Sequence, residues 1–127
     1  MSIYTDGSRK ENHVGASMVA VKNSTEIHTE TQRLSIIYTV FQAELCRIIR
    51  LDPKQMAETC FYAINDDSKA TLLAIANKHT THPLAIATRL KTTELRNTTF
   101  ITFQWVKGHV DVKGNERADY LAKIAAS

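Results

Sequence analysis

The residues from Val14 to Val21 carry apolar side chains at both odd and even positions. Successive side chains of a β-strand point to opposite faces of a sheet, so both faces of this strand must be covered. We therefore predict an inner strand. After a turn at Asn23–Ser24, the alternation of apolar and polar residues in Glu26–Leu34 favours a hairpin partner nearer to an edge.

A shorter apolar stretch, Ile3–Thr5, precedes Asp6. Gly7 follows at once, which predicts a strand that ends in a tight turn and presents Asp6 at its end. An aspartate in such a place is most often a turn residue. A functional role for Asp6 therefore depends on whether other carboxylates reach the same place.

The segment Ser35–Leu51 has helical periodicity, with an apolar stripe at Phe41, Leu45, Ile48 and Ile49. Thr39 is a candidate N-cap, and Asp52-Pro53 is predicted to end the helix. Glu44 lies within or beside the apolar stripe. Because an unpaired buried carboxylate is costly, Glu44 needs either a basic residue or a cation as its partner.

The next elements form a strand–turn–helix unit. Cys60–Ile64 reads as a buried strand, Asn65–Ser68 as an acidic turn and Ala70–Ile75 as a helix. Ligands collect at the carboxyl ends of strands in such units. For Asp67 the alternative interpretation is helix N-capping.

The chain then continues through a polar loop, Asn77–His82, and a helix opened by Pro83. An aromatic and β-branched strand, Phe100–Val106, leads into a loop from Lys107 to Gly114 that carries His109. Asn115 is the expected cap of a last helix, and Asp119 borders the apolar face of that helix. The order of elements predicts one α/β domain over residues 1–127.

Composition limits the classes of protein that remain. The formal charge of +3 permits a polyanionic partner but does not require one. Cys46 and Cys60 lie in apolar runs, which favours buried free thiols in a reducing compartment. No apolar run is long enough to span a membrane and no signal peptide is apparent, so we expect an intracellular protein of the cytoplasm or nucleus, without a membrane partner.

Four carboxylates could meet at one end of this sheet: Asp6, Glu44, Asp67 and Asp119. Like charges that lie close together cannot all stay ionised without cations. Oxygen ligands select hard cations such as Mg²⁺ or Mn²⁺. Two such ions about 4 Å apart suit in-line displacement at phosphorus, where one prepares the attacking water and the other stabilises the leaving oxygen.

Four blocks of this sequence, in this order, resemble the ribonuclease H family, and they resemble most closely the ribonuclease H domains of non-LTR retrotransposon polyproteins. The blocks are Tyr4-Thr5-Asp6-Gly7-Ser8, Phe41-Gln42-Ala43-Glu44-Leu45, Asp67-Ser68-Lys69-Ala70, and Trp105-Val106-Lys107-Gly108-His109 followed by Gly114-Asn115-Glu116-Arg117-Ala118-Asp119. The resemblance covers nearly the whole chain.

The resemblance implies a five-stranded mixed sheet of order 3-2-1-4-5 flanked by helices. It also implies hydrolysis of the RNA strand of RNA–DNA hybrids, giving 5′-phosphate and 3′-hydroxyl ends, with two Mg²⁺ ions or Mn²⁺ as a substitute. The metal-binding acids of the family match Asp6, Glu44, Asp67 and Asp119. The family's loop histidine, which assists proton transfer or product release, matches His109.

The resemblance also implies which residues contact nucleic acid. The family reads the RNA 2′-hydroxyl with amides matching Gly7 and Ser8 and with the residue matching Glu44. Gln42 and Lys69 are further candidate contacts. Many members carry glutamine where this chain has Lys69, which shifts the expected contact toward phosphate.

Other features leave alternatives open. Asp66 stands beside Asp67 and is kept as an outer residue or a substitute. Gly108 and Gly114 flank the histidine loop and are expected to let it move. His79 and His82 lack further ligand residues nearby, which argues against a metal pair.

The short Asn77–His82 connection leaves out the helix and loop that form the family's basic protrusion. An isolated, monomeric domain would then bind its substrate weakly. An adjacent reverse transcriptase domain of a longer polyprotein could supply further contacts with the substrate. Two other functions remain: a non-catalytic connector of the same fold, and another nuclease such as a transposase or a Holliday-junction enzyme. The retained acids argue against the first, and the Gly108-His109 loop argues against the second.

Overall fold

The computed structural model describes residues 2–49, 61–66, 68–97, 100–106 and 113–127, and at positions 41, 44, 48, 49, 61–63, 65, 66 and 100 it describes the backbone alone. The strands are β1 (Ser2–Arg9), β2 (His13–Lys22), β3 (Thr25–Ser35), β4 (Phe61–Asp66) and β5 (Phe100–Trp105). The helices are α1 (Val40–Ile49), α2 (Lys69–Ala76), α3 (Pro83–Leu95) and α4 (Lys113–Ala126). Among these helices, none is both long and apolar enough to cross a membrane.

The strands form one mixed sheet of order β3-β2-β1-β4-β5, which confirms the predicted fold. Strands β1, β2 and β3 pair antiparallel, whereas β4 pairs parallel with both β1 and β5. The antiparallel pairing of β1 with β2 continues to Arg9, and the described parallel pairs with β4 run from Ser2 opposite Ala63 to Thr5 opposite Asp66. Asp6 is the next residue of β1 after these parallel pairs.

Helices α1, α2 and α3 cover one face of the sheet. The main apolar core lies there and consists of Ile3, Met18, Ala20, Leu45, Ile64, Ile75, Ala85, Leu95 and Ile101. Odd residues of β1 and even residues of β2 point toward this face, because side chains alternate along a strand. Both faces of β2 are buried from Val14 to Ala20, as the continuous apolar run predicts.

Helix α4 covers the opposite face and lies unusually close to β2. A Cβ atom added at Gly15 would lie 2.1 Å from the carbonyl oxygen of Ala122 and 2.6 Å from the amide nitrogen of Ala126. The Ser17 hydroxyl donates a hydrogen bond of 2.6 Å to the carbonyl oxygen of Ala118, which lies one helical turn before Ala122. The absence of a side chain at Gly15 lets the helix backbone rest directly on the strand.

Strand β1 and helix α1 differ from their predicted limits. Gly7 does not begin a turn, since it pairs with Ala16 inside β1, and Asp6 therefore lies within the strand. Helix α1 begins at Val40 instead of Ser35, because Ser35 still pairs with His13 in the sheet. Thr39 caps α1 as predicted. The predicted end of this helix, at Asp52-Pro53, lies outside the described residues.

The start of α4 also differs from the prediction. The helix begins at Lys113, so Asn115 lies buried inside its first turn and does not cap it. Gly114 likewise belongs to the helix, where an added Cβ would lie 2.2 Å from the Tyr4 ring. Gly114 is thus a packing position against β1 in the first turn of α4, and the prediction that it belongs to the loop is wrong.

The close approach of α4 generates a prediction about stability. Gly15→Ala would push a methyl group against helix backbone, which cannot rotate away as a flexible side chain could. We expect the free energy of unfolding to fall by about 1–3 kcal/mol, the usual range for an overpacked core. Denaturant unfolding measures this change. Thr81→Ala, in an exposed loop, is the control and should stay within about 0.5 kcal/mol; an equally small change for Gly15→Ala would contradict the packing.

Candidate active site

Two of the predicted acids, Asp6 on β1 and Asp119 on α4, lie in the region where β1, β2 and α4 pack together. Asp6 is two residues beyond Tyr4 and so points to the α4 face, where it is only 5% exposed. Ser17 lies directly opposite Asp6 in the ladder and donates its hydroxyl to Ala118, the residue before Asp119. The pairing of β1 with β2 and the bond from β2 to α4 therefore bring Asp6 and Asp119 to one side of the sheet.

Lys123 pairs with Asp119 through its ammonium group. Its Nζ lies 2.6 Å from Oδ2 of Asp119, one helical turn earlier on α4. The pKa of Lys123 is raised above its ordinary value of 10.5, first by this hydrogen bond and then by the charge of Asp119. The charge of Asp6 raises the pKa further, while desolvation acts in the opposite direction.

The backbone amide of the following residue also contacts Asp6. Oδ1 of Asp6 accepts a hydrogen bond from the amide of Gly7, at 2.8 Å. Gly7 and Ser8, the predicted hybrid-reading positions, are partly buried residues of β1 that directly follow Asp6.

The end of β1 is also tied to the start of α1. The Arg9 guanidinium donates to the carbonyl oxygens of Tyr38, at 3.0 Å, and Ile36, at 3.1 Å. Gln42 and Thr39 exchange two hydrogen bonds, of 2.9 and 3.1 Å, which form a capping box at the first turn of α1. Glu44 follows on α1, between Ala43 and Leu45, which are both fully buried. The side chain of Glu44 lies outside the described part of the structure.

The carboxyl end of β4 leads into α2. Asp66 is the last residue of β4, and Asp67 lies outside the described residues. Ser68 is the N-cap of α2, since its hydroxyl accepts a hydrogen bond from the amide of Thr71, at 3.2 Å. The alternative interpretation of Asp67 as the helix cap is therefore wrong.

A lysine and a tryptophan form a contact beside this end of β4. The Nζ atom of Lys69 lies 4.3 Å from the centre of the Trp105 ring, a cation–π geometry. Trp105 pairs with Asp66 in the sheet and is 45% exposed. An exposed aromatic ring can contact a base or a sugar, and a cation beside the ring can bind a phosphate.

The structure thus places Asp6 and Asp119 on one side of the sheet. His109 lies outside the described residues, as do Asp67 and the Glu44 side chain. Within the described ranges, no three histidine, cysteine or acidic residues form a group that could hold a metal ion. His82 caps α3, with Nδ1 accepting from the Leu84 amide at 3.2 Å, a role unlike that of a metal ligand.

Sequence reasoning missed Lys123 and the contact of Trp105 with Lys69. Asp119 and Lys123 are separated by four residues on a predicted helix, a spacing that places side chains together and could have revealed the ion pair. The Trp105 contact depends on the parallel pairing of β4 with β5, and we find no sequence signal for it.

A family model for RNase H matches residues 1–127 of this chain. The chain belongs to the RNase H family. It is therefore a ribonuclease H, an enzyme that acts on RNA–DNA hybrids. No curated protein sequence matches it.

Solved RNase H structures show the same fold. RNase H1 from the archaeon Halobacterium salinarum NRC-1 superposes with a TM-score of 0.74 at 21% identity, covering 98% of this chain and 95% of that one. The N-terminal RNase H domain of Rv2228c from Mycobacterium tuberculosis, solved as a fusion with maltose-binding protein, gives a TM-score of 0.74 at 20% identity, covering 98% and 93%. At these identities the likeness concerns the fold.

The cluster around Lys123 predicts a specific titration. In an NMR titration of the Lys123 side chain, the pKa should lie above 10.5 in the wild type. Asp119→Asn should lower this pKa most, because it removes the two largest causes of the shift, and Asp6→Asn should lower it less. A raised lysine pKa stabilises the fold fully below pH 10.5, and this contribution is lost as the pH rises through the folded-state pKa. A pKa unaffected by Asp119→Asn would contradict the contact.

Proposed function

We propose that this chain is a metal-dependent endoribonuclease that hydrolyses the RNA strand of RNA–DNA hybrids and leaves 5′-phosphate and 3′-hydroxyl ends. Asp6, Glu44, Asp67 and Asp119 would hold two divalent ions, Mg²⁺ or Mn²⁺ in its place. The observation that carries this proposal is the placement of Asp6 and Asp119 on the same side of the sheet, where Asp119 pairs with the Lys123 ammonium and the charge of Asp6 also acts on Lys123. These acids lie more than a hundred residues apart in the sequence.

The donor set fits a hard divalent cation. Both described acids offer carboxylate oxygens, and oxygen ligands suit Mg²⁺ and Mn²⁺. Asp6 is almost fully buried, and a buried carboxylate needs a compensating charge. Asp6 follows the described parallel pairs of β1 with β4, next to the carboxyl end of β4, and α/β sheets commonly bind their ligands at the carboxyl ends of strands.

The strand register supports Asp67 as the third ligand in preference to Asp66. Thr5 and Asp66 form the last pair between β1 and β4 among the described residues. If this register continued by one residue, Asp67 would stand opposite Asp6. Ser68 already supplies the cap of α2, so a capping role does not account for Asp67.

In this mechanism the bound ions supply activation of the attacking water and stabilisation of the leaving oxygen. Asp6 and Asp119 contribute fixed negative charge from two packed elements, which keeps their carboxylates in place. His109 would take or give a proton near the leaving group. The amides of Gly7 and Ser8, with Glu44, would read the RNA 2′-hydroxyl.

Contacts with the rest of the hybrid would come from the neighbouring strand ends. Lys69 would bind a phosphate from its position over Trp105, and the exposed part of the Trp105 ring would contact the sugar or base. Gln42 stands in the first turn of α1, near the end of β1, and would contact the hybrid while it caps the helix.

We further propose that residues 1–127 form the RNase H domain of a retrotransposon reverse transcriptase polyprotein, monomeric when isolated and intracellular. The Phe41–Leu45 block and the short 77–82 connection, which has no room for a basic protrusion, support this assignment. A transcript that encodes this chain should also encode a reverse transcriptase domain upstream. An upstream reading frame without one would contradict the proposal.

Hybrid cleavage tests the proposed activity directly. The wild type should cleave the RNA strand of a labelled hybrid in Mg²⁺, not in chelator, and should leave duplex DNA and duplex RNA intact. Asp6→Asn should reduce cleavage by on the order of 10³-fold or more, because it removes a charge from a group of residues that act together. Asp67→Asn should act likewise, whereas Asp66→Asn should retain cleavage.

Two controls separate the loss of a metal ligand from a general charge effect and from unfolding. Glu94→Gln removes one negative charge from an exposed position on α3 and should leave cleavage unchanged. Circular dichroism should show that Asp6→Asn keeps the fold, since the two side chains have almost the same volume. Full cleavage by a folded Asp6→Asn variant would rule out its metal role.

The charge contact of Lys69 predicts a change in salt dependence. In the non-cleaving Asp6→Asn background, Lys69→Gln should weaken hybrid binding and reduce the slope of log K against log salt by about 0.7–0.9, the loss of one phosphate contact. Fluorescence anisotropy of a labelled hybrid measures both values. Lys78→Gln, in the exposed loop after α2, should leave the slope unchanged, and an equal effect of both variants would show a general charge effect instead.

A further inference from the structure

The Lys123 ammonium occupies a position that neither the family match nor the proposed chemistry accounts for. It lies 2.6 Å from Oδ2 of Asp119, an oxygen that the proposed metal site would use. The side chain of Lys123 is 52% exposed and that of Asp119 is 32% exposed, so the contact lies at the solvent side of the site.

We propose that Lys123 is a built-in competitor of the divalent cation: its ammonium pairs with Asp119 when the metal is absent and must leave Asp119 when a metal ion binds. The inference rests on the proposed metal site. It adds a residue that tunes the metal concentration at which this site fills.

Two physical effects act in the same direction. The metal ion and the ammonium draw on the negative charge of the same carboxylate, and the ammonium already occupies Oδ2, so the ion pair opposes the use of Asp119 as a ligand. An ammonium that remained beside Asp119 would also repel a divalent ion. Asp6 lies close enough for its charge to act on Lys123, so the ammonium balances both acids and not Asp119 alone.

The lysine stem makes this competition reversible. Four methylene groups carry the ammonium, and about half of the side chain is exposed, so Lys123 can turn toward solvent without any movement of α4. Exposed ion pairs are weak, so a divalent ion can displace the ammonium. Lys123 should therefore shift the metal affinity without preventing metal binding.

Calorimetric titration of the chain with MgCl₂, without nucleic acid, tests this inference. Lys123→Gln should lower the Mg²⁺ dissociation constant about three- to tenfold, because it removes both the competitor and its charge. Lys123→Arg keeps the charge and should stay within about twofold of the wild type. Lys78→Gln removes the same charge from a loop outside the site and should also leave the dissociation constant within about twofold.

The outcomes separate this inference from the proposed function. If the wild type binds Mg²⁺ and Lys123→Gln binds it equally or more weakly, the competition is refuted and the metal site stands. If Lys78→Gln tightens binding as much as Lys123→Gln does, net charge is the cause and the competition is again refuted. If neither the wild type nor Lys123→Gln binds Mg²⁺, the proposed metal site itself is refuted, together with the inference. Circular dichroism of each variant confirms that it is folded.

Discussion

The direct contact of α4 with the β1–β2 hairpin is the constraint on which the described part of the site depends. Gly15 lets the helix backbone lie on the strand, and Ser17 bonds to the turn of α4 that precedes Asp119. Because packed interiors resist small displacements, the separation of Asp6 and Asp119 is set by this contact and not by their own side chains. The packing of α4 on the sheet therefore also fixes how close the two negative charges of the site lie to each other.

The second constraint is the pairing that holds Asp6 within β1. The antiparallel ladder with β2 continues to Arg9 and pairs Asp6 with Ser17, while the described parallel pairs with β4 reach Thr5, the residue before Asp6. Asp6 is therefore fixed inside a paired strand, next to the carboxyl end of β4. A carboxylate can thus be buried and held in one position by the sheet itself.

The order of elements along the chain could be predicted from apolar alternation, and the strand order from the resemblance to the ribonuclease H family. The limits of the elements were less predictable. Gly7 and Gly114 resemble loop residues in sequence, yet one pairs within β1 and the other packs against Tyr4. In both cases tertiary contact overrides the local preference of glycine. The effect of Asp6 on Lys123 was likewise hidden, since it depends on how α4 meets the sheet.

The modest charge of the chain bears on how a hybrid could be held. A net charge of +3 provides little general attraction for a polyanion, and the 77–82 connection has no room for a basic protrusion. Binding would then depend on a few placed contacts, such as Lys69 over Trp105, and on phosphates drawn to the acid-held ions. A small number of placed contacts can orient the hybrid in the site but contributes little binding affinity. A neighbouring domain that binds the same hybrid would supply the missing affinity through its effective concentration, without any change in the site itself.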